Sequence, residues 1–259
     1  MRLEEIKTIG VLGGGVMGSG ISQTAILAGY NVICRDLTDE IIANTKDVIV
    51  NSRFGLKAGI ERGKHTQEQV DQALARLTLT TKIEDLKDVD FLIEAIGGGP
   101  SGELENKDLK LKVFAELEEI VKKDAIFASN TSRFTIADLA AATKRKDKFI
   151  GMHFFSPANI MRLVEVIYTA DVSPEVIDLT IELGKKLGKV PIKVKDIPGD
   201  TGFVGNRVMG AARREAMKII EEGIATGDDI NTVMTLGFNW PAGPAPSSTR
   251  VPNARTGWR

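Results

Sequence analysis

Three glycines with a fixed spacing, Gly13-x-Gly15-x-x-Gly18, separate an apolar segment from an amphipathic one near the start of the chain. The apolar run Thr8–Leu12 is typical of a buried strand, and Ile21–Ala28 has the pattern of a helix. In this context the first glycine permits a tight turn, the second lets the backbone approach a pyrophosphate, and the third lets the helix pack close to the strand. The spacing therefore predicts a strand–turn–helix unit that binds a dinucleotide, with the phosphates at the helix N-terminus.

An acidic residue follows at the position where such units select their cofactor. A second strand, Asn31–Arg35, ends at Asp36, 18 residues after the last glycine. The carboxylate of Asp36 can accept hydrogen bonds from both ribose hydroxyls and would repel a 2′-phosphate, so the predicted cofactor is NAD. Arg35 weakens this preference, because a neighbouring arginine can accept a 2′-phosphate. Val16 and Met17, which stand between the glycines, belong to the same predicted site.

Strand-like and helix-like segments continue to alternate along the chain. A mostly helical region is expected from Glu40 to about Leu77, and the further segments are strands at 89–95 and 125–129 and helices at 106–122 and 134–142. Strands that alternate with helices indicate a doubly wound parallel sheet. The sequence thus predicts an α/β fold with a Rossmann-type doubly wound domain over residues 1–192, followed by a short, mostly helical domain over 193–259.

Composition excludes several other classes of protein. The formal net charge is −1, which gives no basic field for nucleic acid or for acidic membrane surfaces. No apolar run approaches the roughly 18 residues that span a bilayer. Cys34 is the only cysteine, so neither a disulfide framework nor a cysteine metal cluster is expected, and no metal site is predicted. These features favour a cytoplasmic protein without nucleic-acid or membrane partners.

His153 is one of only two histidines, and it lies within the first of two apolar runs, Phe149–Pro157 and Arg162–Tyr168, that are typical of strands. The turn-prone segment Ser156–Asn159 joins the runs, and an antiparallel hairpin about Ala158 and Asn159 would place His153 opposite position 164 or so. The carboxylate of Glu165 would then lie one step from the imidazole. A histidine held by a carboxylate is the usual arrangement of a general base. The alternative is a buried histidine that is merely satisfied by a neighbouring acid.

Together these segments resemble the L-3-hydroxyacyl-CoA dehydrogenases, and the short-chain 3-hydroxybutyryl-CoA dehydrogenases in particular. The resemblance extends from about Ile6 to Pro244. It rests on five motifs in the family's order: Gly13-Gly-Gly-Val-Met-Gly-Ser-Gly20, Asn130-Thr-Ser132, His153-Phe-Phe-Ser-Pro157 with Leu163-Val-Glu-Val-Ile167, Gly202-Phe-Val-Gly-Asn-Arg207 and Leu236-Gly-Phe-Asn-Trp-Pro-Ala-Gly-Pro244. The implied activity is reversible oxidation of an L-3-hydroxyacyl-CoA to the 3-oxoacyl-CoA with NAD, as in the β-oxidation of fatty acids.

The resemblance also implies roles for individual residues. The catalytic group would be His153, the glutamate that orients it Glu165, and the groups that hold the reacting part of the substrate Ser132 and Asn206. The cofactor site would add Glu105, Lys110, Ser132 and Ser156 to the glycine loop and Asp36. The CoA moiety would contact Ser52, and Lys57 is the nearest candidate for a second CoA contact.

Three departures from the family pattern stand out in the sequence. The loop Gly97–Glu103 is longer than the family's usual link and would lie near the nicotinamide, and Ser156 replaces the usual asparagine. After Pro244 the sequence is polar and has no helical periodicity, whereas the family continues through apolar helices that form a dimer. A homodimer is the expectation from the family. Without those helices, the apolar helix expected over 203–220 would self-associate or leave the fold marginally stable.

Two other functions remain compatible with the sequence. One is oxidation of a free hydroxy acid or sugar acid by the same catalytic pair, which the loop at Gly97–Glu103 leaves open. The other is an NAD-binding protein with little activity, because the C-terminal domain is short.

Overall fold

The computed structural model describes residues 1–97, 105–197, 199 and 202–246. The predicted insertion lies outside the described residues except for Gly97, and so does the tail from Ser247. Contacts divide the chain into two compact units, Met1–Thr201 and Gly202–Arg259. The boundary placed at residue 192 from the sequence falls within a strand of the first unit.

A sheet of eight strands, counted over the described residues, forms the centre of the first unit in the order β3-β2-β1-β4-β5-β6-β7-β8. The strands are β1 (Thr8–Leu12), β2 (Asn31–Arg35), β3 (Leu77–Thr80), β4 (Phe91–Glu94), β5 (Ile126–Ser129), β6 (Phe149–Phe154), β7 (Leu163–Tyr168) and β8 (Val190–Lys195). Every neighbouring pair is parallel except β6 and β7, which are antiparallel. The strand order reverses between β1 and β4, and ligands of doubly wound sheets bind in the crevice beyond such a reversal. The predicted α/β, Rossmann-type fold is confirmed.

Helices cover the sheet, and most begin at a residue whose side chain can cap free N–H groups. The helices of this unit are α1 (Val16–Leu27), α2 (Asp39–Asn51), α3 (Leu56–Glu61), α4 (Gln67–Leu74), α5 (Lys107–Ile120), α6 (Ile136–Ala140) and α7 (Pro174–Lys186). Caps from Thr38, Thr66, Asn106, Thr135 and Ser173 accept hydrogen bonds from the first turns of α2, α4, α5, α6 and α7. None of the helices in the described parts of the chain combines the length and the hydrophobicity that a bilayer-spanning segment needs.

The core lies between the sheet and these helices. Ile9 and Val11 of β1 are completely buried, and they pack with Ile21 and Ala25 of α1. The only cysteine, Cys34, is buried in the same cluster, and burial raises the pKa of its thiol to about 11. A helix that is buried over most of its surface must have small residues where it meets the sheet, and this requirement explains the glycines and serines at the start of α1.

The region from Glu40 to Leu77 is mostly helical, as predicted, and contains α2, α3 and α4. It ends in the edge strand β3, which pairs with β2 and was not predicted. The strand was missed because Leu77-Thr-Leu-Thr80 is only four residues long, so its apolar–polar alternation covers just two periods. An edge strand needs one apolar face only, and for this reason the polar threonines are tolerated there.

The second unit contains α8 (Gly205–Glu221), α9 (Gly227–Thr232) and a helical turn at Val233–Gly237. Its small core joins Ala216, Ile230 and Ala245. The side chain of Asn231 accepts a hydrogen bond from the Ala245 N–H at 3.0 Å and donates one to the Ala245 carbonyl at 3.1 Å, which fixes the segment after the turn.

Candidate active site

The glycine loop after β1 is built for close backbone approach. Gly13 has a φ of +101°, and a Cβ there would lie 2.7 Å from the Ala95 carbonyl oxygen, so the position admits only glycine. A Cβ on Gly18 would lie 1.7 Å from the Gly13 carbonyl oxygen, where the first turn of α1 packs on the loop. Gly15 is different, because a Cβ at this position would meet no atom within 4 Å.

Gly15 is the N-cap residue of α1, and no side chain caps this helix. The N–H groups of the first turn, at Val16 and Met17, thus have no side-chain cap, and a side chain at Gly15 would enter open space. An uncapped helix start with open space above a glycine fits a pyrophosphate, whose charge the helix dipole stabilises. The residues present thus fit the phosphates of a dinucleotide.

Asp36 lies at the carboxyl end of β2, next to this loop. Its Oδ2 accepts a hydrogen bond from the Gly14 N–H at 2.5 Å, and its Oδ1 accepts one from the Leu37 N–H at 2.6 Å. Both bonds hold the carboxylate at the edge of the crevice, where it can meet a ribose. The neighbouring Arg35 donates from Nε to the Thr81 carbonyl at 3.2 Å, which anchors the guanidinium to the end of β3.

His153 and Glu165 form a buried pair on the antiparallel hairpin of β6 and β7. The two residues are directly opposite each other in the strand register, and the imidazole Nδ1 lies 2.7 Å from Glu165 Oε2. Glu165 is completely buried and His153 is 6% exposed. The register differs by one residue from the expectation that position 164 would face His153. Because directly opposite side chains point to the same face of a sheet, the observed register favours the pair more than the predicted one.

The loop that follows His153 is anchored from two sides. The buried ammonium of Lys189 donates to the Ala158 carbonyl at 2.5 Å and to the Met161 carbonyl at 3.0 Å, and burial lowers the pKa of Lys189 to about 8. On the other side, Asn159 Nδ2 donates to Gln23 Oε1 at 3.0 Å and to the Phe54 carbonyl at 2.7 Å. Sequence reasoning missed these anchors, since a lysine and an asparagine of this kind carry no motif.

The candidate CoA residues lie on the segment that this loop contacts. Ser52 is the C-cap of α2 and is half-buried, and Lys57 is exposed in the first turn of α3. Phe54, between them, accepts the hydrogen bond from Asn159. The expected cofactor contact Ser156 is exposed in the loop itself.

Ser132 lies beyond the carboxyl end of β5, against the start of α5. Its N–H and its hydroxyl both donate to Glu105 Oε1, at 2.9 and 3.0 Å. Lys110 is buried and lies 3.3 Å from the other oxygen of Glu105. Burial raises the pKa of Glu105, but the Lys110 charge and hydrogen bonds from Thr131 and Ser132 outweigh it and hold the pKa below its ordinary value. The structure thus brings together three of the predicted residues.

Glu94 was not identified from the sequence as part of this group. It is the last residue of β4, is completely buried, and is paired with Lys110. The signal available was an acid at the end of the apolar run Phe91-Leu-Ile-Glu94, because a buried carboxylate requires a partner.

Asn206 lies in the first turn of α8 and is exposed. It belongs to the second compact unit, so the structure described for the first unit does not test its predicted role. No group of three or more histidine, cysteine, aspartate or glutamate side chains in the described parts of the chain could hold a metal ion.

The chain is similar to known proteins over most of its length. Residues 8–197 match the family model described as 3-hydroxyacyl-CoA dehydrogenase, NAD binding domain, and residues 202–251 match the model of the C-terminal domain of the same family. A probable 3-hydroxybutyryl-CoA dehydrogenase of Deinococcus radiodurans is 40% identical over 91% of this chain and 80% of that protein. The mitochondrial hydroxyacyl-coenzyme A dehydrogenase of Rattus norvegicus is 38% identical over 92% of this chain and 74% of its own length.

A solved structure gives the same result. The crystal structure of (S)-3-hydroxybutyryl-CoA dehydrogenase from Ralstonia eutropha superposes with a TM-score of 0.85 at 40% identity, and the match covers 93% of this chain and 80% of that one. The glycine loop, the acid after β2 and both family matches lead to one conclusion: the chain belongs to the 3-hydroxyacyl-CoA dehydrogenase family and is an oxidoreductase that uses NAD.

Proposed function

We propose that the protein oxidises an L-3-hydroxyacyl-CoA reversibly to the 3-oxoacyl-CoA, with His153 as the general base. The observation that carries the assignment of the base is the 2.7 Å contact between His153 Nδ1 and the buried carboxylate of Glu165. A carboxylate can only accept, so Nδ1 carries a proton and the other nitrogen, Nε2, is the one that takes the proton of the substrate hydroxyl.

Glu165 then has two functions in this mechanism. It fixes the plane of the imidazole, and its negative charge stabilises the imidazolium that exists after the proton has moved to Nε2. In the reverse direction the imidazolium returns that proton to the oxygen on C3. Bound NAD supplies the acceptor for the hydride that leaves C3.

Other residues would hold the reactants in place, because most of the rate gain comes from positioning the reactants. Gly13, Gly15, Val16, Met17 and Gly18 would bind the pyrophosphate, and Asp36 the adenosine ribose. Ser132 and Asn206 would hold the reacting end of the substrate. Glu105, Lys110 and Ser156 would line the nicotinamide side, and Ser52 and Lys57 would contact CoA.

We also infer that the second unit associates with a second copy of the chain. Its exposed apolar side chains include Val208 and Met217 of α8, and Leu236 and Phe238 after it. Exposed apolar surface of this kind commonly marks an interface. Sedimentation at micromolar protein concentration tests the inference, which a single monomeric species would overturn.

The function is tested by NADH formation from 3-hydroxybutyryl-CoA, measured beside free 3-hydroxybutyrate and with NADP as the alternative cofactor. The expected result is turnover of the thioester with NAD. Equal turnover of the free acid would instead favour a hydroxy-acid dehydrogenase, and no turnover of either would favour a binding protein.

The role of the base is tested by His153→Ala, which should lower kcat by about 10²–10⁴, the usual worth of a positioned acid–base group. NADH binding should be unchanged, because the substitution leaves the glycine loop intact. His65→Ala, at the only other histidine, is the matched control and should retain turnover. Near-normal kcat in His153→Ala would refute the assignment of the base.

A further inference from the structure

Glu94 is a completely buried carboxylate with every oxygen in use. Its Oε1 accepts from Lys110 Nζ and, at 2.6 Å, from the Ile96 N–H, and its Oε2 accepts from Ser129 Oγ at 2.5 Å. Ser129 is its direct neighbour in the register of β4 and β5. An isolated charge would not remain ionised in such a place, so the pairing with Lys110 is a requirement of the burial.

Lys110 is held just as firmly. Its side chain is 2% exposed, and its ammonium lies against the Glu94 carboxylate, 3.0 Å from the Ile96 carbonyl oxygen and 3.3 Å from Glu105 Oε2. An ammonium has three N–H donors and no acceptor. The ammonium donates to Glu94 Oε1 and to the Ile96 carbonyl oxygen and forms an ion pair with Glu105 Oε2, so Lys110 is placed to act on the site through Glu105 and the loop at Ile96.

Glu105 links Lys110 to Ser132, because it contacts both side chains. The neighbouring Lys110 charge helps to hold the pKa of Glu105 below its ordinary value, although burial opposes it. An ionised carboxylate only accepts hydrogen bonds, so the hydroxyl of Ser132 donates its hydrogen to Glu105 Oε1 at 3.0 Å. The lone pairs of the Ser132 oxygen are thereby turned away from Glu105.

We propose that Glu94 is a positioning residue for the reaction: it fixes Lys110 beside Glu105, and through Glu105 it sets the orientation of the Ser132 hydroxyl. The proposal deepens the proposed function, on which it rests for the role of Ser132 at the substrate. It assigns no contact with the reacting atoms to Glu94.

Glu94→Gln tests the proposal, since it keeps the size of the side chain and removes the charge. We expect kcat to fall about tenfold, the effect of losing one charged hydrogen bond in a buried network. The matched control is Glu118→Gln, which removes the charge of another largely buried ion pair, that of Glu118 with Arg145, outside the site. This control should lower the melting temperature but leave kcat within about twofold of the wild type.

A double-mutant cycle separates positioning from a general loss of stability. In a Ser132→Ala background the hydroxyl is gone, so Glu94→Gln should change kcat by less than about twofold. An equal loss in both backgrounds, or full kcat in Glu94→Gln alone, would overturn the proposal.

Ser129→Ala is the second variant, in case Glu94→Gln does not fold. It removes one donor to Glu94 and keeps the charge, and we expect a kcat loss of about threefold that again vanishes without the Ser132 hydroxyl. Retention of full kcat in a folded Ser129→Ala would count against the proposal.

The binding of NADH can be measured from the fluorescence of NADH, and this measurement does not depend on turnover. Glu94→Gln should weaken it about fivefold and Glu118→Gln should not, because only the former loosens the loop at Ile96. If wild-type protein failed to oxidise 3-hydroxyacyl-CoA, the proposed function would fail, whereas the NADH titration would still show whether Glu94 organises the site. Equal NADH affinity in the two variants would contradict that organising role.

Discussion

Replacing Glu165 by glutamine should separate the charge of the carboxylate from its shape. The glutamine oxygen can still accept the hydrogen of His153 Nδ1, so the ring keeps its orientation. Only the attraction between the carboxylate and the imidazolium is lost. The pair is buried and its atoms are 2.7 Å apart, which makes this attraction significant.

The size of the attraction between the Glu165 carboxylate and the imidazolium depends on the distance between the two charges. Unit charges about 4 Å apart at an effective dielectric constant of about 20 attract by roughly 4 kcal/mol, before the cost of their desolvation is subtracted. A charged hydrogen bond exceeds a neutral one by about 1–2 kcal/mol, and this difference is the better measure because the neutral bond remains. The corresponding reduction in kcat is about 5- to 30-fold.

The assay is steady-state NADH formation at saturating NAD and acyl-CoA, with Glu182→Gln on α7 as the control for a lost glutamate charge away from the site. Glu165→Ala should be more severe, because it leaves Nδ1 without its acceptor and opens a cavity. A kcat for Glu165→Gln within about twofold of the wild type, alongside a large loss in His153→Ala, would show that the carboxylate charge does not assist the base.

The glycine loop, Asp36 and Lys189 give three further predictions. Asp36→Ser should weaken the preference for NAD and raise kcat/KM with NADP, with Arg35 left to meet the phosphate; equal kcat/KM for both cofactors in the wild type would refute the role of Asp36. Gly15→Ala should fold with little change in melting temperature but should bind NADH poorly. Gly18→Ala should lower the melting temperature sharply, because its Cβ would lie 1.7 Å from a backbone oxygen. Similar melting temperatures for the two variants would contradict this prediction. Burial lowers the pKa of Lys189 to about 8, so the unfolded state binds more protons than the folded state above that pH. The free energy of unfolding of the wild type, relative to Lys189→Met, should therefore rise by about 1 kcal/mol between about pH 7 and pH 9. Denaturant unfolding at both pH values tests this, and a constant difference between the two proteins would exclude the effect.

The sequence was most informative where one residue type has one physical use. Gly13 and Gly18 occupy their expected places because a tight turn and close packing allow few alternatives, and Asp36 lies beside the glycine loop as expected. The pairing of His153 with Glu165 also followed from strand patterns, although the register was off by one residue. The hairpin of β6 and β7 is centred on Asn159 rather than on the peptide bond between Ala158 and Asn159. The alternation of apolar and polar residues along the strands does not specify the geometry of the loop between them.

The network around Lys110 was less predictable. In α5, Lys110 is buried although it is charged, whereas its apolar neighbour Leu109 is only half-buried. Periodicity assigns charged residues to the solvent side, and only the three-dimensional meeting of Glu94, Glu105 and Lys110 reverses that assignment. Long-range pairs of buried charges are therefore the part of the site that pattern analysis misses.

The burial of Cys34 has a practical consequence for studying motion in this protein. The chain has no other thiol, and this one is completely buried with a pKa raised to about 11 by that burial. Only the thiolate reacts with alkylating reagents, so the folded protein behaves towards them as if it had no cysteine. A cysteine engineered on an exposed helix would accept a spectroscopic label at one position only, and slow labelling of Cys34 would itself measure how often the strand beside the glycine loop opens.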